Sequence, residues 1–415
     1  MPDAPPAATP AAGALSGIRV IDCSRVLAGP ICTQTLGDLG ADIVKIERPG
    51  MGDDTRKWGP PFLKDADGND TSESAYYLST NRNKRSVALD ISRPEGREVL
   101  LQLLEGADVF IENFKVGDMA RYGLAWDDLK QRFPRLVYAS VTGFGQTGPY
   151  AKRAGYDFLA QGMGGVMSVT GEAGGEPMKV GVAIADVMTG MHTAVAILAA
   201  LRHRDSSGRG QYIDAALLDT QVSWLVNQGL NYLVGGTPPG RLGNAHPNIT
   251  PYQVFATSDG HVILGIGNDQ QFAKFCRFAG RDDVVADPRF ATNVARVRNR
   301  AESVATVAAV MKSRTMAEWV DGLEAIGVPC GPVNDIAQVF ADPQVQARGL
   351  RQGIPGHPLT PEPVPTIAYP LKLSDTPAAY RRPPPILGQH TEEVLGGELG
   401  LEAETLARLK AAGVI

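Results

Sequence analysis

The chain has 415 residues, of which 43% are hydrophobic and 20% charged, with a formal net charge of −5. That length suits two or three domains with a sizeable core. The balance is that of a soluble globular protein, and no basic stripe offers a nucleic acid or an acidic membrane a partner surface. The four cysteines, Cys23, Cys32, Cys276 and Cys330, form no CxxC and no zinc spacing. A reduced, cytoplasmic protein without a metal site is therefore expected. Residues 1–16 are rich in Ala and Pro and carry no Lys or Arg. They fit neither a signal nor a transit peptide, and a disordered tail is expected.

The first unit reads as β-α-β. Ile18–Cys23 is strand-like, Pro30 sits in the first turn of a helix that Gly40 ends, and Asp42–Glu47 alternates Val and Ile as a second strand. Strand Ser86–Asp90, helix Pro94–Leu104, strand Val109–Glu112, a helix near Ala125–Arg132 and strand Leu136–Ser140 follow. This alternation predicts an α/β fold with a doubly wound, Rossmann-like parallel sheet. Farther on, the apolar run Val180–Ala185 reads as β-like and passes into a helix, Val187–Arg204. The most apolar part of that helix, Thr193–Leu201, is too short to span a bilayer. Strand Gln211–Leu217 and a helical run from near Asp219 come next.

The pattern changes at Gly235–Pro251, which is rich in Gly, Pro and Asn. A hairpin-like pair, Tyr252–Ala256 and His261–Gly265, and several short helices then predict a smaller α+β domain. The expected division is 17–225 for the large domain, 226–326 for the small one, and 327–415 for a segment returning to the large domain. Glu402–Ala412 reads as a short amphipathic helix, and no internal repeat is present.

The loop RVLAGP, Arg25–Pro30, stands where a dinucleotide fold would carry GxGxxG, with Glu47 in the place of a ribose ligand. The fingerprint is absent, so no nicotinamide cofactor is expected. Arg48, Arg56, Arg82–Arg85, Arg93, Asn113 and Arg121 gather after strands. They are either solvated surface charge or a crevice lining suited to phosphates. Gly143–Pro149, GFGQTGP, is a tight turn or a loop that admits a ligand to the backbone. Asp157, after Gly155-Tyr156, is a second acid or a helix cap. In Gly240–Pro247, GRLGNAHP, the glycines and His246 are substrate contacts between domains or His246 makes a loop hydrogen bond. Asp186, the only acid in VGVAIADVMTGMH, stands at a helix start. There it is an N-cap or a nucleophilic carboxylate.

Eight segments in register resemble the class III CoA-transferases, the CaiB/BaiF family that includes formyl-CoA transferase and carnitine CoA-transferase. They are GIRVIDCSRVLAGP, LGADIVKIERPGMGDDTR, NRNKRSVALDI, ADVFIENF, TGFGQTGPY, GYD, IADVMTGMH and SGRGQYIDAALLD. The resemblance runs from Gly17 to Ile415. Within the family, TPYQVFATSDG, GIGNDQQFAKFC and LGQHTEEVL look most like a branch that takes succinyl-CoA and glutarate.

The resemblance implies that Asp186 is the nucleophile, with CoA-binding positions at Leu27, Ala28, Arg48, Leu89, Asp90, Ile91, Ser92, Asn113, Phe114, Lys115, Arg121 and Tyr156. Substrate contacts are expected at Gly243, Asn244 and His246. Formyl-CoA transferase has Gln in place of Leu27, Lys in place of Ser92, and a longer glycine run in place of GRLGNAHP, so its oxalate and formyl specificity does not carry over. The resemblance further implies two domains per chain, an interlocked homodimer, CoA thioesters as substrates and no permanent cofactor.

The implied reaction moves CoA from an acyl-CoA to a free carboxylate through an aspartyl anhydride and an aspartyl-CoA thioester. An ionised Asp186 at pH 7 fits a helix N-terminus. Glycine loops and the helix start are candidate oxyanion donors, each supplying about 3–4 kcal/mol, and Gly240–Pro247 is a candidate lid. For a dicarboxylate acceptor, Arg241 and His246 are candidate far-end cations, with Arg153 farther off. Two rival readings are an α-methylacyl-CoA racemase and a non-catalytic CoA-ester binder. A racemase needs a base on each face of the α-carbon, and Tyr156, a phenol ordinarily near ~10, stands where such enzymes carry histidine.

Overall fold

A computed structural model describes residues 13–415 of the chain. Of the expected disordered tail, residues 1–12 lie outside the described residues. Residues 13–16 instead form a turn fixed to the body: the Leu15 N–H donates to Leu39 O at 2.9 Å, and the Leu15 side chain packs on the core.

Six strands make the central sheet: β1 (Arg19–Cys23), β2 (Asp42–Glu47), β3 (Lys84–Ala88), β4 (Val109–Glu112), β5 (Val137–Thr142) and β6 (Tyr212–Ala216). Their order is β3-β2-β1-β4-β5-β6, with every neighbouring pair parallel. Val20 of β1 lies opposite Ile43 on one side and Val109 on the other. Strands covered on both faces must be apolar on both faces, and Val20, Ile21, Ile43, Val44, Phe110 and Ile111 are all buried.

Helices α1 (Ala28–Asp38), α2 (Pro94–Glu105), α3 (Asp157–Met163), α4 (Ile184–Ser207) and α5 (Leu217–Ser223) accompany the sheet. One core joins Val87, Leu100, Leu103, Phe110 and Tyr138, and takes in Val394, Leu409 and Val414 from the C-terminal end. The other joins Ala28, Leu36, Val137 and Ile197 from α1, β5 and α4. Each large apolar side chain buried there contributes about 1.5–3 kcal/mol. Strand order reverses between β1 and β4, so the loops that follow these two strands part and open a crevice.

Three expectations change. Val180–Ala185 is not a strand: Val182 is exposed, residues 180–183 take no strand conformation, and α4 begins at Ile184. The strand expected at Ser86–Asp90 starts at Lys84, because Lys84 and Arg85 are buried in the sheet by ion pairs. The apolar helix is longer than Thr193–Leu201: α4 has 24 residues, long enough to cross a bilayer. One side of α4 nevertheless lies in the core through Ala194, Ile197, Ala200 and Leu201, and Arg204 near its end pairs with Asp108 at 2.7 Å.

The chain forms two compact units. The larger holds the described residues up to Gly164, together with Gly181–Trp224 and Gln344–Ile415; the smaller holds Gly165–Val180 and Leu225–Pro343. The sequence division did not separate Gly165–Val180, and it ended the small domain at 326. The small unit extends beyond 326 because Cys330–Pro332 is an edge strand of its sheet, with Pro332 opposite Val262. That sheet pairs β7 (Tyr252–Ala256), β8 (His261–Gly265) and β9 (Cys330–Pro332) antiparallel, in the order β9-β8-β7. In β8, Val262 and Leu264 point to the core while His261 and Ile263 point out, the alternation of a sheet covered on one face. Phe272, Phe275, Trp319 and Leu323 from its helices complete that core.

Candidate active site

The crevice between the ends of β1 and β4 is held in shape by side-chain clamps. Asn113 accepts the Arg25 N–H at 3.0 Å and donates to Arg25 O at 2.7 Å, locking the loop after β4 to the loop after β1. Val26 has φ +74°, a left-handed conformation that β-branched residues rarely adopt. Its N–H donates to both Asp53 carboxylate oxygens at 3.2 and 3.3 Å, and Asp53 is held in turn by Lys45 at 2.9 Å. The strained turn aims the start of α1 into the crevice. Leu27 is its N-cap without a side-chain cap, and among the described residues the N–H groups of Leu27, Ala28 and Gly29 have no acceptor.

Asp186 lies in the first turn of α4 but is not its cap; that position is Ala183, which makes no side-chain cap. The helix start is held from elsewhere. Asp157 Oδ1 accepts the N–H groups of Ala185 at 2.8 Å and Asp186 at 3.3 Å, while its Oδ2 accepts from Gln161 Nε2 at 2.6 Å. The Asp186 carboxylate is half-buried, and among the described residues no donor reaches it. Burial first, and the Asp157 charge second, push it up to about 7. An Asp186 held ionised by its helix start was expected; instead the first helix donors go to Asp157.

Gly190, one turn after Asp186 on the same face of α4, meets α1 at close range. A Cβ there would fall 2.3 Å from Ile31 Cγ2 and 2.5 Å from Ala28 O. Glycine lets the two helices touch and brings Asp186 to the open start of α1. Sequence reasoning missed Tyr76, in the short helix Ala75–Leu78: burial, Asp186, Asp157 and Asp53 push its phenol up to about 12. Its ring sits edge-on to Trp58 at 5.1 Å. No spacing marks either aromatic residue; only their position after GDDTR hints at the crevice.

A cavity of about 160 Å³ is walled by Asp186, Leu27, Ala28, Asn113, Phe114, Lys115 and Tyr156, with Arg153 at its edge. A second cavity, of about 360 Å³, shares Arg25, Asp54, Phe114 and Lys115 with the first and adds Arg48 and Leu89–Ser92. The two together gather every expected CoA contact except Arg121. Arg121 is exposed and bonds Asp118 at 3.0 Å and the Tyr122 hydroxyl at 3.2 Å, although both of those residues line the second cavity. Arg48 and Lys115 have no acidic partner among the described residues. Glu112 anchors the Phe114–Lys115 turn by accepting the Phe114 N–H at 2.8 Å.

The other gathered cations are structural. Arg56 pairs with Glu47 at 2.7 Å and Glu73 at 2.6 Å and lies over Tyr77; Arg82 pairs with Asp38, Lys84 with Asp22, and Arg85 with Asp42. Arg93 donates to Ala412 O. Glu47 is filled by Arg56, Ser86 Oγ and the Asp53 N–H, so it is not free to hold a ribose. Gly143 and Gly155 are glycines because their backbones cross: a Cβ on either would lie within 2.5 Å of the other's Cα.

Gly243, Asn244 and His246 lie in the smaller unit. Gly243, at φ +60°, donates its N–H to Gly171 O at 2.9 Å, and Asn244 is exposed. His246 makes the loop hydrogen bond weighed for it, Nδ1 accepting the Asn248 N–H at 3.1 Å; burial and Arg300 hold its pKa below the ordinary value. Arg241 is bound to Gly175 O. Arg153, in the larger unit, lies over the rings of Tyr150 at 4.6 Å and Phe144 at 5.4 Å, without an acidic partner among the described residues.

Comparison with known proteins agrees with this geometry. The model of CoA-transferase family III matches residues 15–391. A succinate–glutarate CoA-transferase of Agrobacterium fabrum is 50% identical over 95% of this chain and 96% of its own length. The human succinyl-CoA:glutarate CoA-transferase is 41% identical over 97% of this chain and 90% of its own. A crystal structure of a CaiB/BaiF family protein from Brucella suis superimposes with a TM-score of 0.81 at 47% identity, covering 93% of this chain and 99% of that one. The half-buried acid at the strand-order reversal and the likeness along nearly the whole length lead to one conclusion: the chain belongs to CoA-transferase family III.

Proposed function

We propose that the protein transfers CoA from succinyl-CoA to a dicarboxylate such as glutarate, with Asp186 as the covalent carrier. The observation that carries this reading is the Asp186 carboxylate itself: half-buried, bonded to no donor among the described residues, pushed up to about 7, and facing the same cavity as the start of α1. An acid with no structural partner in a cleft is poised for chemistry.

In this reading ionised Asp186 attacks the thioester carbonyl. The C–S bond breaks, leaving an acyl-aspartyl anhydride and CoA thiolate. The thiolate attacks the aspartyl carbonyl and expels the donor's carboxylate, giving an aspartyl-CoA thioester. The acceptor carboxylate attacks that thioester, releasing thiolate and forming a second anhydride. Thiolate then attacks the acceptor's acyl carbon and frees Asp186. The unpaired N–H groups of Leu27 and Ala28 supply donors for the oxyanions. Arg48 and Lys115 suit the phosphates of CoA, and Leu89–Ser92 line the cavity beyond. For the acceptor's far carboxylate we favour Arg153 over Arg241, since the Arg241 guanidinium already donates to Gly175 O, whereas that of Arg153 rests on two rings and has no acidic partner among the described residues.

The resemblance also carries a homodimer. In its favour, Val226, Leu230, Leu233 and Val234 leave an apolar, exposed face on the helix Val226–Gly235, of the kind that associating proteins cover.

The test is to mix the protein with succinyl-CoA and glutarate, oxalate, itaconate or carnitine and follow new CoA esters by mass spectrometry. Glutaryl-CoA that forms with the native chain and not with Asp186→Ala is the expected result. Exchange with other acceptors alone removes the glutarate assignment. Deuterium entering the acyl α-carbon without ester exchange replaces the reading with the racemase.

A further inference from the structure

The start of α4 bears on two carboxylates, and only one of them is bonded to it. A helix start leaves N–H groups without partners and carries partial positive charge. Asp186 occupies the third helical position, counted from the Ala183 cap. From there an acid ordinarily reaches back to the cap's N–H. Asp186 does not. The donors on Ala185 and Asp186 go to Asp157, which lies 29 residues earlier in the chain, at the first position of α3. Asp157 is itself fixed by Gln161, which is fully buried.

We propose that Asp157 is a positioning residue for the Asp186 nucleophile: it takes the first N–H groups of α4, fixes that helix start against α3, and leaves the Asp186 carboxylate unbonded toward the cavity. The proposal rests on the reading of Asp186 as nucleophile. The chemical logic is differential stabilisation. A carboxylate wrapped in helix donors is stabilised in the ground state and loses those bonds as it attacks. A carboxylate relieved of them stays basic and nucleophilic. The Asp157 charge adds to this by opposing ionisation of its neighbour. The other titratable groups around the cavity are Tyr76, Tyr156, Lys115, Lys152, Arg153 and the Arg25–Asp54 pair at 3.0 Å. Of these, Tyr76 also feels the Asp157 charge, but its phenol titrates at about 12, far from the limb that Asp186 sets.

Asp157→Asn and Asp157→Ala separate charge from anchoring. The Asn Oδ1 still accepts the two N–H groups of α4, although its Nδ2 gives up the bond that Oδ2 accepts from Gln161, whereas Ala offers nothing. The measurements are kcat, KM for succinyl-CoA and the pH profile of transfer to glutarate, with mass-spectrometric capture of the acyl adduct on Asp186. Asp157→Ala is expected to lose about 100-fold in kcat, the order of loss that follows small misplacement of a reacting group, with KM for succinyl-CoA little changed. Asp157→Asn is expected to keep much of kcat and to move the acid limb of the profile to lower pH. A limb that stays at the wild-type position in Asp157→Asn overturns the proposal, as does full kcat in Asp157→Ala. If Asp157→Ala fails to fold, the limb of Asp157→Asn decides alone. Absence of any Asp186 adduct in the native chain defeats the nucleophile reading itself, which is a separate outcome.

Discussion

The crevice has two sides with opposite electrostatic habits. Behind the loop after β2, buried charges are paired: Lys45 with Asp53, Arg56 with Glu47 and Glu73, Lys84 with Asp22. At the start of α4, Asp186 has no hydrogen-bond or ion-pair partner among the described residues, and the like charge of Asp157 acts on it. Burial of an ion is tolerated for structure only when bonds replace the lost water. The paired side therefore maintains shape, whereas the unpaired acid carries a cost in stability that the proposed nucleophile role would account for.

The sharpest break of this contrast is Asp186→Asn. Transfer should fall by about 10⁴-fold or more, the order seen when a covalent nucleophile is removed, while the fold gains. Because burial and Asp157 raise the folded-state pKa of Asp186, its unfavourable contribution is absent below the ordinary pKa near 3.8 and grows as pH rises through about 7. The variant should therefore melt a few °C higher at pH 8 and no higher below pH 4. Equal melting temperatures at pH 8 would remove the claim that Asp186 is held at a cost.

The opposite outcome is expected on the paired side. Arg56→Met strands Glu47 and Glu73 in the interior, and breaking a buried pair from one partner costs about 3–5 kcal/mol. A shifted midpoint in urea with unchanged slope is the readout. A loss under about 1 kcal/mol, the worth of a surface pair, would mean that this side does not hold the fold.

Gly190→Ala tests the contact between α1 and α4 that brings the two sides together. Alanine favours a helix by about 1 kcal/mol over glycine, but here its Cβ runs into Ile31 and the Ala28 carbonyl. Overpacking of this kind costs about 1–3 kcal/mol, and the helix that carries Asp186 must shift. The expected result is a fall in kcat larger than the loss of stability explains. An unchanged kcat would show that this contact does not set the geometry.

Much of the architecture was legible because its signals are local. Strands such as Asp42–Glu47 and Val109–Glu112 announce themselves by apolar runs between turn residues, and the hairpin strands Tyr252–Ala256 and His261–Gly265 by composition around a tight turn. Val180–Ala185 misled because Val180 and Val182 precede a helix on a turn, where apolar alternation records no ladder. The sequence displays charges but not their pairing: Arg56 and Arg82–Arg85 read as phosphate ligands gathered after strands, yet Lys84 and Arg85 open β3 itself and the acids that pair these cations come from neighbouring elements. Arg85, for example, meets Glu398 across more than three hundred residues. The hold of Asp157 on α4 is hidden for the same reason, since it joins residues on two different helices.

The smallest expected effect concerns the acceptor. Arg153 is exposed, yet its guanidinium lies on Tyr150 and Phe144 and faces no acid among the described residues. Stacking removes part of the freedom that an arginine side chain would lose on binding a carboxylate. If Arg153 receives the far carboxylate of the acceptor, Arg153→Gln should lower kcat/KM for glutarate by about tenfold, the worth of one charge-assisted hydrogen bond in a partly wet site. Butyrate, which lacks that carboxylate, should be a poor acceptor for the native chain and be unaffected by the substitution. The ratio of the two acceptors is what the experiment reads, because a general disturbance of the cavity would lower both. Parallel losses would assign Arg153 to the wall of the cavity on the unpaired side, whereas a loss confined to glutarate would make it a second unpaired charge kept there for its ligand.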